Sequence, residues 1–347
     1  MRYEHGGDIY GNANIHLDFS VNTNPLGLPI EVKQALAERV DEFSQYPDPN
    51  CRLLRRAIVL DEGVSEKQIL CGNGAADLIY RLCNAIRPRK ALVCAPTFSE
   101  YERALTQTGC TVVHHMLKES DGFALTDSIL EKITPDVDML FLCQPNNPTG
   151  RLIMPELLLE ILYRADAVGA VTVVDECFLG FMQAESCKAL LPKHDKLIII
   201  KAFTKMYAMA GLRLGYLLCA DKALLLRISD AGACWSVSIP AQIAGEAALK
   251  VPNWREDTLR IIADEREFLS KELERLGITV YPSDTNFLLI KSEKPLYDAL
   301  LSKGILIRAC GNFEGLDKSF FRVAIKKHDE NICLVKAMGE TIYGKNG

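Results

Sequence analysis

The chain has 347 residues, 48% hydrophobic and 24% charged, which is globular composition and more than one compact core usually holds, so two domains are expected. Its formal net charge of −5, with a sequence pI near 5.8, speaks against a nucleic-acid binder and against attraction to anionic membranes. Small-molecule chemistry is the class that remains.

The first twenty residues, MRYEHGGDIYGNANIHLDFS, hold no apolar core of signal-peptide length. No later stretch approaches the roughly 18 apolar residues of a spanning helix, which points to a soluble cytoplasmic protein. The twelve cysteines agree. None are spaced as C-x-x-C, and Cys71, Cys94, Cys143 and Cys219 sit in apolar runs where a reduced thiol packs as a small hydrophobe.

Short apolar runs recur at QILCG (68–72), ALVCAP (91–96), DMLFLCQP (138–145), AVTVVDE (170–176), KLIIIKAF (196–203) and LGYLLCA (214–220). Between most of them lie stretches of helical spacing, such as AADLIYRLCNAI (75–86) and PELLLEILYRADAVG (155–169). Strand alternating with helix predicts an α/β fold, a mostly parallel sheet covered by helices on both faces. After about residue 250 a long charged helical stretch, NWREDTLRIIADEREFLSKELERLG, leads into ITVYPSDTNFLLIKS, PLYDALLSKG, ILIRAC and FFRVAIKK. That order of helix, strand, helix, strand, strand predicts a smaller α/β domain joined through a helix rather than a flexible tether.

Open parallel sheets bind ligands beyond the carboxyl ends of their strands, and the unusual residues of this chain lie there. Gly72, Asn73, Gly74 and Ala75 form a glycine-rich turn opening a helix, where bare N–H groups favour an anion such as phosphate; alone, such a turn is equally a tight connection. Phe98 follows the next run, where an aromatic covers a flat ring or fills the core. PNNPTG (145–150) reads as a fixed polar loop with amide donors aimed into a cleft. Asp175 ends an apolar strand, and its carboxylate needs a cationic partner. Lys205 follows another such strand; unless it snorkels to the surface, apolar surroundings make its amine a nucleophile able to form a Schiff base. Arg213, eight residues on, is placed to meet a phosphate bidentately. Amine, carboxylate, amide, aromatic and anion cradle together describe a site for pyridoxal 5'-phosphate.

With PNNPTG, VVDE, the TK pair and AGLRLGY in this order and spacing, the chain resembles the fold type I pyridoxal-phosphate enzymes of the class I/II aminotransferase superfamily. HGGDIYG, LDFSVNTNPLG, YPDPN, PTFSEY and ILIRACGNFEGLDKSFFRVAIK narrow the resemblance to the histidinol-phosphate aminotransferase branch and, most closely, to the threonine-phosphate decarboxylases of cobalamin biosynthesis. The resemblance implies an N-terminal arm with part of a small domain over 1–45, a large cofactor domain over 46–250 and a small C-terminal domain over 251–347. It gives Lys205 the Schiff base, Asp175 the ring nitrogen, Asn147 the ring oxygen and Phe98 the ring face. Gly74, Ala75, Ala76, Thr204 and Arg213 would surround the cofactor phosphate. Arg322 matches the arginine that receives a substrate carboxylate in aminotransferases, and Arg308 a second arginine of enzymes acting on phosphorylated substrates. His5, Asn24 and Tyr46 match the substrate region, Tyr46 reaching across the interface of a homodimer.

Two positions depart from the pattern. Ala202 stands where most relatives have Ser or Thr donating to the cofactor phosphate, which implies weaker cofactor binding unless Thr204 compensates. Phe178 stands where typical aminotransferases have a tyrosine, and this favours the decarboxylases. The implied activity is decarboxylation of O-phospho-L-threonine to (R)-1-amino-2-propanol phosphate. Transamination by a histidinol-phosphate aminotransferase or a related enzyme is the alternative, and a non-catalytic ligand sensor on an aminotransferase-like domain is the reading from another class, although no basic helix-turn-helix stretch precedes residue 20. The expected partners are a small phosphorylated amino acid and a second copy of the chain, with no nucleic acid, membrane or metal. His114 and His115 lack a nearby third ligand and read as a strand edge.

Overall fold

The structure, a computed structural model, describes residues 5–11 and 14–344. The chain opens with strand β1 (Leu17–Asp18) and helices α1 (Ile30–Glu38) and α2 (Arg52–Glu62). There follow β2 (Ile69–Gly72), α3 (Gly74–Ile86), β3 (Lys90–Ala95), α4 (Glu100–Gln107), β4 (Thr111–Met116), β5 (Met139–Cys143), α5 (Pro155–Val168), β6 (Val171–Asp175), β7 (Leu197–Ala202), α6 (Phe203–Met206) and β8 (Gly215–Cys219). Then come α7 (Lys222–Asp230), α8 (Ile239–Ala248), α9 (Trp254–Arg275), β9 (Thr279–Val280), β10 (Phe287–Lys291), α10 (Leu296–Leu301), β11 (Ile305–Leu306), β12 (Arg308–Ala309), β13 (Phe320–Ala324) and α11 (His328–Tyr343).

Seven strands form one sheet in the order β2-β8-β7-β6-β5-β3-β4, in which β8 runs antiparallel to both neighbours and every other pairing is parallel. The strands read as continuous apolar runs because both faces are covered. On β7, Leu197 and Ile199 enter one core layer while Ile198 and Ile200 enter the other; on β5, Leu140 and Leu142 oppose Met139 and Phe141 in the same way. Each such side chain contributes roughly 1.5–3 kcal/mol by burial. His114 and His115 lie on β4, one of the two edge strands of this sheet.

A second, antiparallel sheet has the order β12-β13-β10-β9. Its core joins Phe287, Leu288, Phe321 and Val323 to Leu269 and Leu273 of α9 and Leu334 and Met338 of α11, and admits Phe19, Phe178 and Phe181 from elsewhere in the chain. β1 pairs in parallel with β11, Leu17 opposite Ile305, which ties the N-terminal strand to the C-terminal part.

Two predicted strands are divided. ITVYPSDTNFLLIKS forms β9 and β10, which pair with each other, because Pro282 cannot donate to a ladder and the turn is stabilised by its own polar groups. Ser283 Oγ donates to the Phe287 carbonyl (2.6 Å), and the Asp284 N–H to the Gly150 carbonyl (2.8 Å). ILIRAC is shared between sheets, Ile305–Leu306 pairing with β1 and Arg308–Ala309 with β13. Among the described residues no helix is long and apolar enough to cross a membrane, and all twelve cysteines are free thiols.

Candidate active site

A cavity of about 560 Å³ opens at the carboxyl ends of β3, β5, β6 and β7 and is closed on its far side by β12 and β13. Lys205 stands in α6, the single helical turn after β7. Burial, then the charges of Arg322 and Arg213, bring its amine down from 10.5 to about 8. Its Nζ lies 5.8 Å from the centre of the Phe178 ring. No described residue hydrogen-bonds to it.

Asp175 ends β6 and is buried. Its Oδ2 accepts from the Tyr101 hydroxyl (2.6 Å) and its Oδ1 from the Cys177 N–H (2.9 Å). No cation pairs with it among the described residues. Tyr101 is fully buried and stacks on Phe141 with ring centroids 4.9 Å apart. Burial and the charge of Asp175 push its phenol well up, so it serves as a firm donor.

The turn before α3 is open. Asn73 makes no side-chain cap, its own N–H being turned to Asp77 (2.8 Å), so the first-turn N–H groups keep their donor capacity at the positive end of the helix dipole. Gly74 sits at φ +84°, and a Cβ there would come within 2.8 Å of Arg213 Nη2. A glycine is needed for that arginine to close over the turn. Ala75, Ala76 and Thr204 line the cavity beside it, as does Ala202, which brings no hydroxyl.

The two asparagines of PNNPTG divide their roles. Asn146 builds the loop, accepting from Thr97 Oγ1 (2.6 Å) and donating to the Pro96 carbonyl and Thr149 Oγ1 (both 2.9 Å). Asn147 lines the cavity and accepts from Arg322 Nη1 through its Oδ1. Arg322 donates from Nη2 to the Ser20 carbonyl (2.7 Å), while its buried Nε has no partner among the described residues. Burial, with the charge of Arg308 added, brings its guanidinium down to about 10. Arg308 and Arg322 are directly opposed across β12 and β13. Cross-strand partners of like charge destabilise a ladder, and an anion lying between them reverses the sign.

The cavity therefore gathers Lys205, Asp175, Ala75, Ala76, Phe98, Asn147, Thr204, Arg213, His5, Arg308 and Arg322, with Gly74 just beneath Arg213. It does not gather Asn24 or Tyr46. The Asn24 amide is turned away and consumed by the Met206 carbonyl (2.8 Å), Thr258 Oγ1 (2.7 Å) and the Leu26 N–H (3.0 Å). The asparagine of that stretch that does line the cavity is Asn22, buried, with no partner for its Oδ1 among the described residues. The VNTNP stretch signals both asparagines, and only the path of the backbone tells which one faces inward. Tyr46 is 80% exposed and rests on Trp235, ring centroids 4.7 Å apart. Sequence reasoning also missed Tyr101 and Glu100 as supports, although both lie inside the PTFSEY stretch.

Residues 14–336 match the model of the family described as aminotransferase class I and II. The chain belongs to that family. A threonine-phosphate decarboxylase of Salmonella typhimurium is 39% identical over 98% of this chain and 97% of its own length. Among solved structures, the histidinol-phosphate aminotransferase of Clostridium acetobutylicum superposes with a TM-score of 0.88 at 32% identity, covering 94% of this chain and 99% of that one. The L-threonine-O-3-phosphate decarboxylase of Porphyromonas gingivalis gives 0.83 at 27%, covering 93% and 98%. An aminotransferase-family site takes pyridoxal 5'-phosphate, and the groups here fit it: an amine of lowered proton affinity, a buried carboxylate without a cation, and an uncapped helix end closed by a guanidinium.

Proposed function

We propose that this chain decarboxylates O-phospho-L-threonine to (R)-1-amino-2-propanol phosphate as a pyridoxal-phosphate-dependent lyase. The observation that carries the reading is the facing pair Arg308 and Arg322, two arginines that line the cavity in addition to Arg213, where a doubly charged phosphate is held better than a single carboxylate. The identity with a threonine-phosphate decarboxylase supports it.

The cofactor, when bound, supplies an electron sink for the bond that breaks at the substrate's α-carbon. Asp175, held by Tyr101 and the Cys177 N–H, presents negative charge where the ring nitrogen would lie. Phe98 and Phe178 line the walls and exclude water. If Arg308 and Arg322 grip the phosphate, neither holds the α-carboxylate, which would then be the group free to leave as CO2. Lys205, with an amine near 8, gives and takes a proton at Nζ at neutral pH. If Arg322 instead grips the carboxylate, that group would be retained and the α-hydrogen would be the one lost, as transamination requires. The better superposition on a histidinol-phosphate aminotransferase favours this second reading.

The reading includes a homodimer. Tyr46 and Trp235, 80% and 49% exposed, form an aromatic patch with Val40, Phe43 and Leu53 also exposed nearby in the sequence, and a second copy would cover them. Tyr46 would then enter the partner's cavity. The free thiols suit a reducing cytoplasm.

The deciding experiment is a mass spectrum of products after incubating the holoenzyme with O-phospho-L-threonine and no keto acid. Loss of the mass of CO2 with the amine retained is expected. No product there, but turnover of histidinol phosphate with 2-oxoglutarate, would replace the lyase by an aminotransferase.

A further inference from the structure

The described part of the N-terminal arm is pinned by its glycines. A Cβ on Gly6 would meet the Ser20 carbonyl oxygen at 2.2 Å, and Gly7, at φ +90°, donates its N–H to Ser20 Oγ (2.7 Å). This close approach lays His5 on the cavity wall, its ring 5.9 Å from that of Phe98 and its Nε2 2.8 Å from Glu100 Oε1.

Glu100 opens α4 and is mostly buried. Its Oε2 accepts from the Tyr80 hydroxyl (2.8 Å), and Arg103 Nη1 shares Oε1 at 3.4 Å. Burial pulls its carboxyl upward, but the hydrogen bonds from Tyr80 and His5 outweigh that and hold it below the usual range. A carboxylate only accepts, so His5 Nε2 is the donor, and ring plane and tautomer are fixed together. Nδ1 is the ring nitrogen left for a ligand. Both nitrogens of an imidazolium donate, so a phosphate oxygen at Nδ1 and Glu100 at Nε2 would together favour that form, Glu100 balancing the charge from behind. Arg308 and Arg322 line the same cavity and would face the same anion.

We propose that Glu100 is a positioning residue that holds His5 as a hydrogen-bond donor to the substrate's phosphate and so sets the affinity for phosphorylated ligands. The proposal rests on the reading of a phosphorylated substrate given above. It asks nothing of the bond that breaks.

The test is the dissociation constant of inorganic phosphate, by calorimetry on holoenzyme saturated with pyridoxal phosphate, for the wild type and for Glu100→Gln, His5→Ala, their double mutant and Tyr80→Phe. Glutamine keeps the size of glutamate and can accept from His5 while donating to the Tyr80 hydroxyl, but it carries no charge to balance a cationic ring. Glu100→Gln is expected to weaken phosphate binding by about tenfold and His5→Ala by at least as much, the double mutant staying within about twofold of His5→Ala. Tyr80→Phe, which strips Glu100 of its other partner, should stay within about twofold of the wild type. In turnover, Glu100→Gln should raise KM for O-phospho-L-threonine and leave kcat within about twofold. Effects that multiply in the double mutant, an equal loss in Tyr80→Phe, or no loss at all would overturn the role. The cofactor's visible spectrum certifies that each variant is folded and loaded. A wild type that binds phosphate yet leaves O-phospho-L-threonine intact would sink the lyase reading, while the binding cycle would still decide on Glu100.

Discussion

Lys205 is a residue whose charged form the fold opposes. Its amine falls from 10.5 to about 8 through burial and the neighbouring charges of Arg322 and Arg213. A lysine whose folded value is depressed costs stability while both states are protonated, below about pH 8; between there and 10.5 the unfolded chain holds the extra proton and stability rises with pH. The cost is roughly 1–3 kcal/mol, the lower end allowing for the part of the residue open to the cavity. Lys205→Met should therefore abolish turnover yet raise the melting temperature of the cofactor-free protein by a few degrees at pH 7, the gain shrinking toward pH 10. Thermal melts across that range check it, and a gain independent of pH would remove the electrostatic explanation. The sequence made this lysine legible because an apolar strand runs straight into it. It did not make Tyr101 legible, since the residues matched named what Asp175 would face in the cofactor and not the phenol and backbone N–H that hold it from behind.

At the scale of elements, the strand-helix rhythm was readable because a strand buried on both faces leaves a run of Val, Ile and Leu, and each run found in the sequence belongs to the seven-stranded sheet. The smaller sheet was less readable. Its strands are short, and the division of ILIRAC between two sheets depends on long-range pairing that no local pattern carries. Both arginines were visible in the sequence, but their opposition across β12 and β13 was not. That opposition carries a prediction. Arg308→Ala removes a like charge beside Arg322 together with the hydrogen bonds of Arg308 to the Ala309 carbonyl and Asn312 Oδ1, so the melting temperature should change little. Activity should behave otherwise: kcat/KM for a phosphorylated amino acid should fall by ~100-fold, that for its unphosphorylated counterpart by less than ~5-fold. Equal losses on both substrates would mean that Arg308 does not meet a phosphate.

At the scale of the whole molecule, Asn24 and Tyr46 mark the limit of residue matching, and for different reasons. Asn24 spends its amide on Met206, Thr258 and Leu26, and Asn22, two residues earlier, is the one that lines the cavity. Tyr46 lies on the surface with Trp235, and a single chain offers it no cavity to enter. If a second copy does, each site is composite, with Lys205 from one protomer and Tyr46 from its partner. Tyr46→Ala and Lys205→Ala homodimers should then both be nearly inactive. Unfolding, mixing in equal amounts and refolding should produce heterodimers in half of the assemblies. In each of these, one site has lost both residues and the other has both intact, so the mixture should recover about a quarter of wild-type activity. Activity per chain should be read against protein concentration, together with the mass of the assembly. Recovery to that level requires the shared site, whereas a mixture no more active than its two components would place Tyr46 outside the partner's cavity and return it to the surface.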